Sequence, residues 1–230
     1  MVTDLTRRNL LKAALFGSTL PGLSLACASK TFGRTLHTTP LRQPALIGCS
    51  LSGIGRYSVV VADQNGQSIH TLPLPDRGHG VAVHPNLTHA VAFARRPGEF
   101  MMVFDYVTGA IIQLAIAEAS RHFYGHGVYS ADGQWLYVTQ GVKLSCEGII
   151  AKFDVAKGYK KVAEFSGFGI GPHEIILMND GVLAVGVGGI QTDGRIEQNL
   201  DVMAPSLSYL SAQGNNVYLL CLDREGELLE

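Results

Sequence analysis

A histidine recurs in this chain at a fixed interval: His79, His126 and His173 are spaced by 126 − 79 = 47 and 173 − 126 = 47 residues. An exact period of this length marks a repeat architecture, and it constrains the fold more than any local propensity does. The flanking motifs are Gly78-His79-Gly80-Val81, Gly125-His126-Gly127-Val128 and Pro172-His173-Glu174-Ile175, each opening a short apolar segment. A turn follows each time, at His84-Pro85-Asn86, Ala131-Asp132-Gly133 and Asn179-Asp180-Gly181. Asn, Asp and Gly suit a tight hairpin there because they tolerate positive φ. Second strands are predicted over 90–94, 135–139 and 182–187, third strands ending in Asp over 102–105, 149–154 and 217–223, and fourth strands over 111–117 and 160–165. Upstream, 45–51, 57–63 and 68–74 give three strands with the Asp63 turn in register, but no Gly-His strand opens this repeat. Segments of four short strands, repeated every ~40–50 residues, are the pattern of propeller blades rather than of a sandwich. The chain is expected to be all-β, a β-propeller occupying residues 45–230, with residues 228–230 falling where the outer strand of the last blade begins.

Composition permits this and excludes other classes. A hydrophobic content of 47% over 230 residues is enough to bury a core, and a net charge of −1 with both signs interspersed offers neither a nucleic-acid surface nor a polybasic membrane anchor. Cys27, Cys49, Cys146 and Cys221 have no metal-ligand spacing, and no disulfide framework is expected of them.

The N-terminus reads as an address. Thr6-Arg7-Arg8-Asn9-Leu10-Leu11-Lys12 resembles the twin-arginine export consensus, and residues 13–25 form an apolar run broken by Gly17, Pro21 and Gly22, too short and interrupted to span a bilayer. Ala26-Cys27-Ala28 supplies the small residues a signal peptidase reads. Residues 1–28 are thus expected to be a signal peptide and 29–44 a linker, with the twin-arginine machinery as a partner, a periplasmic destination and no transmembrane span after cleavage. Lipid attachment at Cys27 is the lesser alternative, since a lipoprotein box places Leu where Ser24 stands.

Several motifs carry a family resemblance: Gly78-His79-Gly80-Val81-Ala82-Val83, Phe93-Ala94-Arg95-Arg96-Pro97-Gly98, Arg121-His122-Phe123-Tyr124-Gly125-His126-Gly127-Val128 and Gly169-Ile170-Gly171-Pro172-His173-Glu174. On these the chain resembles the exported bacterial family called domain of unknown function 1513, from about Leu46 to Gly214. The resemblance implies a WD40-like or YVTN-like propeller of about seven blades, of which about four are present here. It also implies a secretion signal and no established activity, in a genomic setting of imelysin-like proteins and haem-containing oxidoreductases linked to iron acquisition.

Antiparallel blades put the loop leading into the first strand and the loop joining the second to the third on one face. That face is expected to collect His79, His122, Tyr124, His126, His173 and Glu174 with Arg95, Arg96, Lys143, Cys146, Glu147 and a long 189–213 segment. The candidate ligand-binding residues are Arg95, Arg96, His122, Tyr124, Glu174, Asp193 and Arg195, and the candidate metal ligands are His79, His126 and His173. Each has a structural reading beside the functional one. Gly-His placed 26 and 28 residues before Asp105 and Asp154 matches the hydrogen-bond network that fixes WD40-type blades. Arg95-Arg96 reads as a solvated pair or an anion clamp, Cys146 as an unreactive thiol, and Asp63, Asp105, Asp154 and Asp223 as turn formers. Two histidines could approach across converging inner strands, while three are expected to need a bridging ligand. No nucleophile elbow, phosphate loop or nucleotide fingerprint occurs. Two functions follow: a non-catalytic periplasmic platform for protein partners in an iron-related system, or a metal- or cofactor-dependent protein or enzyme with its site at the channel mouth.

Overall fold

The computed structural model describes residues 42–193 and 196–213, with the backbone of 216–221. The signal with Cys27, most of the linker, Arg195 and Asp223 lie outside the described residues. Among the described residues there is no helix, and every sheet is antiparallel.

Leu46–Ser52 (β1), Arg56–Ala62 (β2) and Ser68–Pro73 (β3) form a three-stranded sheet. Gly78–Val83 (β4), His89–Ala94 (β5), Phe100–Asp105 (β6) and Ile111–Ile116 (β7) form the second, in sequence order. Arg121–Tyr129 (β8), Trp135–Val142 (β9), Gly148–Asp154 (β10) and Lys160–Phe165 (β11) repeat that order in the third. Pro172–Leu177 (β12) and Leu183–Val187 (β13) begin the fourth, which Ser206–Leu210 (β16) and Asn216–Cys221 (β17) complete. A small hairpin of Thr192–Asp193 (β14) and Ile196–Glu197 (β15) sits in the loop between β13 and β16.

The middle strands of the second and third sheets are apolar on both faces because each of these sheets packs against a neighbour on either side. In β5, Ala90, Ala92 and Ala94 join Val59, Val61 and Phe104 in one core, while Val91 and Phe93 join Phe123, Leu136 and Val138 in the next. A third core unites Tyr137 and Ile150 with Ile175, Leu183, Val185 and Leu210. The last strands β7 and β11 alternate exposed and covered residues, as strands with one solvated face do.

One strand assignment is corrected. The third strand of the fourth sheet is β16, paired with β13, and the segment expected to be third is the fourth strand, β17. The apolar alternation misleads here because the serines face inward: Ser206 and Ser208 are buried, and the Ser208 hydroxyl donates to Phe168 O at 3.4 Å. The long loop shrinks accordingly, and Asn199 ties it together by accepting from Gln191 N (2.7 Å) and donating to Gly189 O (3.0 Å).

The recurrent aspartates are turn formers, as expected. Asp63 Oδ1 accepts from the backbone N–H groups of Asn65 and Gln67 at 2.9 Å, Asp105 Oδ1 from Val107 (2.9 Å) and Thr108 (2.7 Å), and Asp154 Oδ1 from Lys157 (3.1 Å). Neighbouring sheets are latched by other side chains. His70 Nε2 meets Val107 O at 2.8 Å. His84 Nδ1 accepts from Asn86 N (3.0 Å) and Leu87 N (2.9 Å), so its proton sits on Nε2, which donates to Gly133 O at 2.9 Å. His89 Nδ1 lies 2.9 Å from the Tyr159 hydroxyl, itself 3.0 Å from that of Tyr129.

Candidate metal centre

The first strands of three sheets, β4, β8 and β12, run side by side, with β8 packed between the other two. Each pairs irregularly with its second strand at the histidine. In β4 the register jumps from Gly78↔Ala94 to Val81↔Ala92, in β8 from Phe123↔Gln140 to Gly127↔Val138, and in β12 from Pro172↔Val187 to Glu174↔Gly186. His79, His126 and His173 therefore occupy bulged segments within the first strands, at the equivalent positions expected from the repeat. A bulge leaves its extra residue out of the ladder and re-aims the side chain.

Glycine permits the strands to close up. A Cβ on Gly80 would stand 2.5 Å from Gly125 O, and one on Gly125, whose φ is +110°, would stand 2.8 Å from His79 Cδ2. With neither present, the rings converge: the His79–His126, His126–His173 and His79–His173 centroids are 4.7, 4.9 and 5.8 Å apart. One ring nitrogen from each histidine lies within 4.8 Å of the others. All three rings gather at one place, where the sequence expectation brought two within reach of each other.

His126 is the half-buried member, between the exposed His79 and His173. Its Nδ1 is 3.1 Å from Glu174 Oε2, and the other Glu174 oxygen accepts from Ile175 N at 3.0 Å. A carboxylate on Nδ1 fixes the proton there and leaves the lone pair on Nε2, which is buried and without a hydrogen-bond partner among the described residues. His79 and His173 form no hydrogen bond among the described residues. Burial depresses the His79 pKa, helped by positive charge at His126, His173, Arg95 and Arg77. Burial also depresses that of His126, with Glu174 opposing. Both rings are held neutral near pH 7, the form that ligates metals. Three nitrogens ~2.1 Å from one tetrahedral ion would be ~3.4 Å apart, so the rings must draw closer to share one ion.

Residues 72–227 match the family described as protein of unknown function (DUF1513). The chain belongs to this family. No curated protein matches the DUF1513 chain. Among the 418 solved chains that do, one is a protein of unknown function from Bacteroides caccae, at 10% identity and a TM-score of 0.50. That likeness covers 82% of the DUF1513 chain and 72% of the other, and it shows a common fold and nothing of activity.

The remaining candidates of this DUF1513 protein separate into a second group. His122 and Tyr124 are both buried on β8, with ring centroids 4.7 Å apart. The Tyr124 hydroxyl has no hydrogen-bond partner among the described residues, and burial, with Cys146 nearby, pushes its pKa up to about 12. Burial lowers the His122 pKa, and the positive charges of Lys143 and Arg96 reinforce this against Glu99. Cys146 takes a left-handed φ of 57°, and its buried thiol donates to Thr192 O at 3.6 Å. Arg95 belongs with the histidine cluster through its field at His79, and Arg96 with His122 and Tyr124. Asp193 lies exposed on β14, and nothing among the described residues links it to either group. Sequence reasoning missed the latches His84, His89, Tyr129 and Tyr159, although Gly133, a turn glycine, was in view.

Proposed function

We propose that this DUF1513 protein is an exported β-propeller that binds a transition-metal ion through His79, His126 and His173. The four sheets are its blades, the first lacking its innermost strand, since β1 corresponds to β5 and β9 when Asp63, Asp105 and Asp154 are aligned. The observation that carries the reading is the state of His126: Nδ1 clamped by Glu174, and a buried Nε2 with no partner among the described residues, beside two further imidazoles. An all-imidazole donor set suits zinc, copper, iron or nickel rather than magnesium or calcium. The alternative, histidines bonded to the turn aspartates, is disfavoured because Asp105 and Asp154 are engaged by their own turns. Of the two functions expected from the sequence, metal binding is the one with a constructed site behind it.

Titration of the full chain with Co(II), followed by visible absorption, tests this. Alanine at any of the three histidines should weaken Co(II) binding at least ~10-fold, while the metal-free melting temperature moves little at the exposed, unbonded His79 and His173. Because the His79 and His126 pKa values are depressed, protonation of these two rings should compete with Co(II) only at a pH below the ordinary imidazole range. Uniform destabilisation by the three substitutions, with no Co(II) response in any protein, would end the metal reading.

Export rests on Arg7-Arg8 and the Ala26-Cys27-Ala28 site. Arg7→Lys with Arg8→Lys should leave uncleaved protein in the cytoplasm, because a receptor reads the pair and not its charge. N-terminal sequencing decides: recovery from the double variant of periplasmic protein beginning near Ser29 would count against this route.

A further inference from the structure

Three histidines do not complete a transition-metal shell, since even four-coordination leaves one position open. No Cys, Asp or Glu among the described residues joins the histidines as a ligand. Glu174 is occupied behind His126. The missing donors must come from outside, and the charge around the cluster indicates their sign. Arg77 and Arg95 stand at the ends of β4 and β5 beside Gly78-His79, and Arg95 N donates to Arg77 O at 2.8 Å. Neither guanidinium lies within ion-pair reach of a carboxylate among the described residues. The nearby Asp76 carboxylate is held by the backbone N–H of Arg77 at 2.6 Å. A divalent ion with Arg77 and Arg95 outweighs Glu174 and Asp76 by two positive charges.

Resting on the metal reading above, we infer that the site takes its metal as a ternary complex with a small oxyanion. The oxyanion's oxygens fill the open coordination positions, and its charge is met by Arg77 and Arg95. Guanidinium forks match the oxygen geometry of carboxylate and phosphate alike, and an anion spanning metal and arginine satisfies both at once. His79 and His173 are exposed, so an anion reaches the open side without rearrangement. This gives Arg95 the anion-clamp role and adds Arg77, which the sequence did not single out.

The experiment uses the full chain loaded with Co(II), with oxalate and inorganic phosphate titrated separately while the visible spectrum is followed. In the unaltered protein at least one anion should shift the Co(II) bands and tighten Co(II) binding ~10-fold or more. Arg77→Gln with Arg95→Gln should keep Co(II) binding and lose at least ~10-fold in affinity for the anion. Arg77→Gln alone, at an exposed position, carries the comparison should the double variant lose Co(II). A response to oxalate only assigns a carboxylate ligand, to phosphate only a phosphate ligand, and to both a general oxyanion site. No shift with either anion, removal of Co(II) into solution, or equal anion affinity in the arginine variants overturns the inference while the metal site stands. Failure of the unaltered protein to bind Co(II) overturns both readings.

Discussion

Gly125→Ala is expected to destabilise the metal-free protein by about 3 kcal/mol, lowering its melting temperature by roughly 6–12 °C in a domain of this size. Two costs combine. At φ +110° an L-residue is strained in any surroundings, and the added Cβ would stand 2.8 Å from His79 Cδ2 and 3.3 Å from Ala94 O. The carbonyl cannot yield, because it belongs to β5 in the packed interior. Relief requires the His79 ring to swing aside and β8 to draw back from β4, and both disturb the pairing of His79 with His126. Thermal unfolding and Co(II) titration of the same variant should show both losses together. An unchanged melting temperature would mean that the inner strands do not meet as closely as described.

The second large effect is expected at a histidine outside the cluster. His84→Ala should cost about 2–4 kcal/mol, since it strips a buried ring from three hydrogen bonds and from the Tyr129 ring 4.8 Å away. Gly133 O and the backbone N–H groups of Asn86 and Leu87 lose their partner at once. No asparagine can serve both sides, because the bond to Gly133 bridges two sheets while the other two close the β4–β5 hairpin. Denaturant unfolding of His84→Ala beside His79→Ala makes the comparison: a large loss at His84 against a small one at His79. Equal losses would show that the two histidines do one kind of work, and that position in the repeat does not separate their roles.

Part of this molecule was legible in its sequence. The 47-residue period placed the three histidines on equivalent strands because a period survives translation into any repeated backbone. The turn aspartates were legible because an Asx turn is satisfied within a few residues of itself. The bulges were not, since a bulge is a property of pairing register, and Gly78 and Val81 reveal theirs only against Ala94 and Ala92. Nor was β16, where two of the three inward positions are serines and the usual apolar cue is weakened. The latches escaped for a third reason: His84 and Gly133 are 49 residues apart, His89 and Tyr159 are 70, and no local pattern connects them.

The double-faced packing of β5 has a consequence for how this protein comes apart. Ala92 belongs to one core and Val91 to the next, so the strand cannot leave one neighbour while keeping the other. Such a stack behaves as a line of coupled units, in which each sheet borrows part of its stability from the adjacent ones. Damage at one position then spreads along the line instead of staying local.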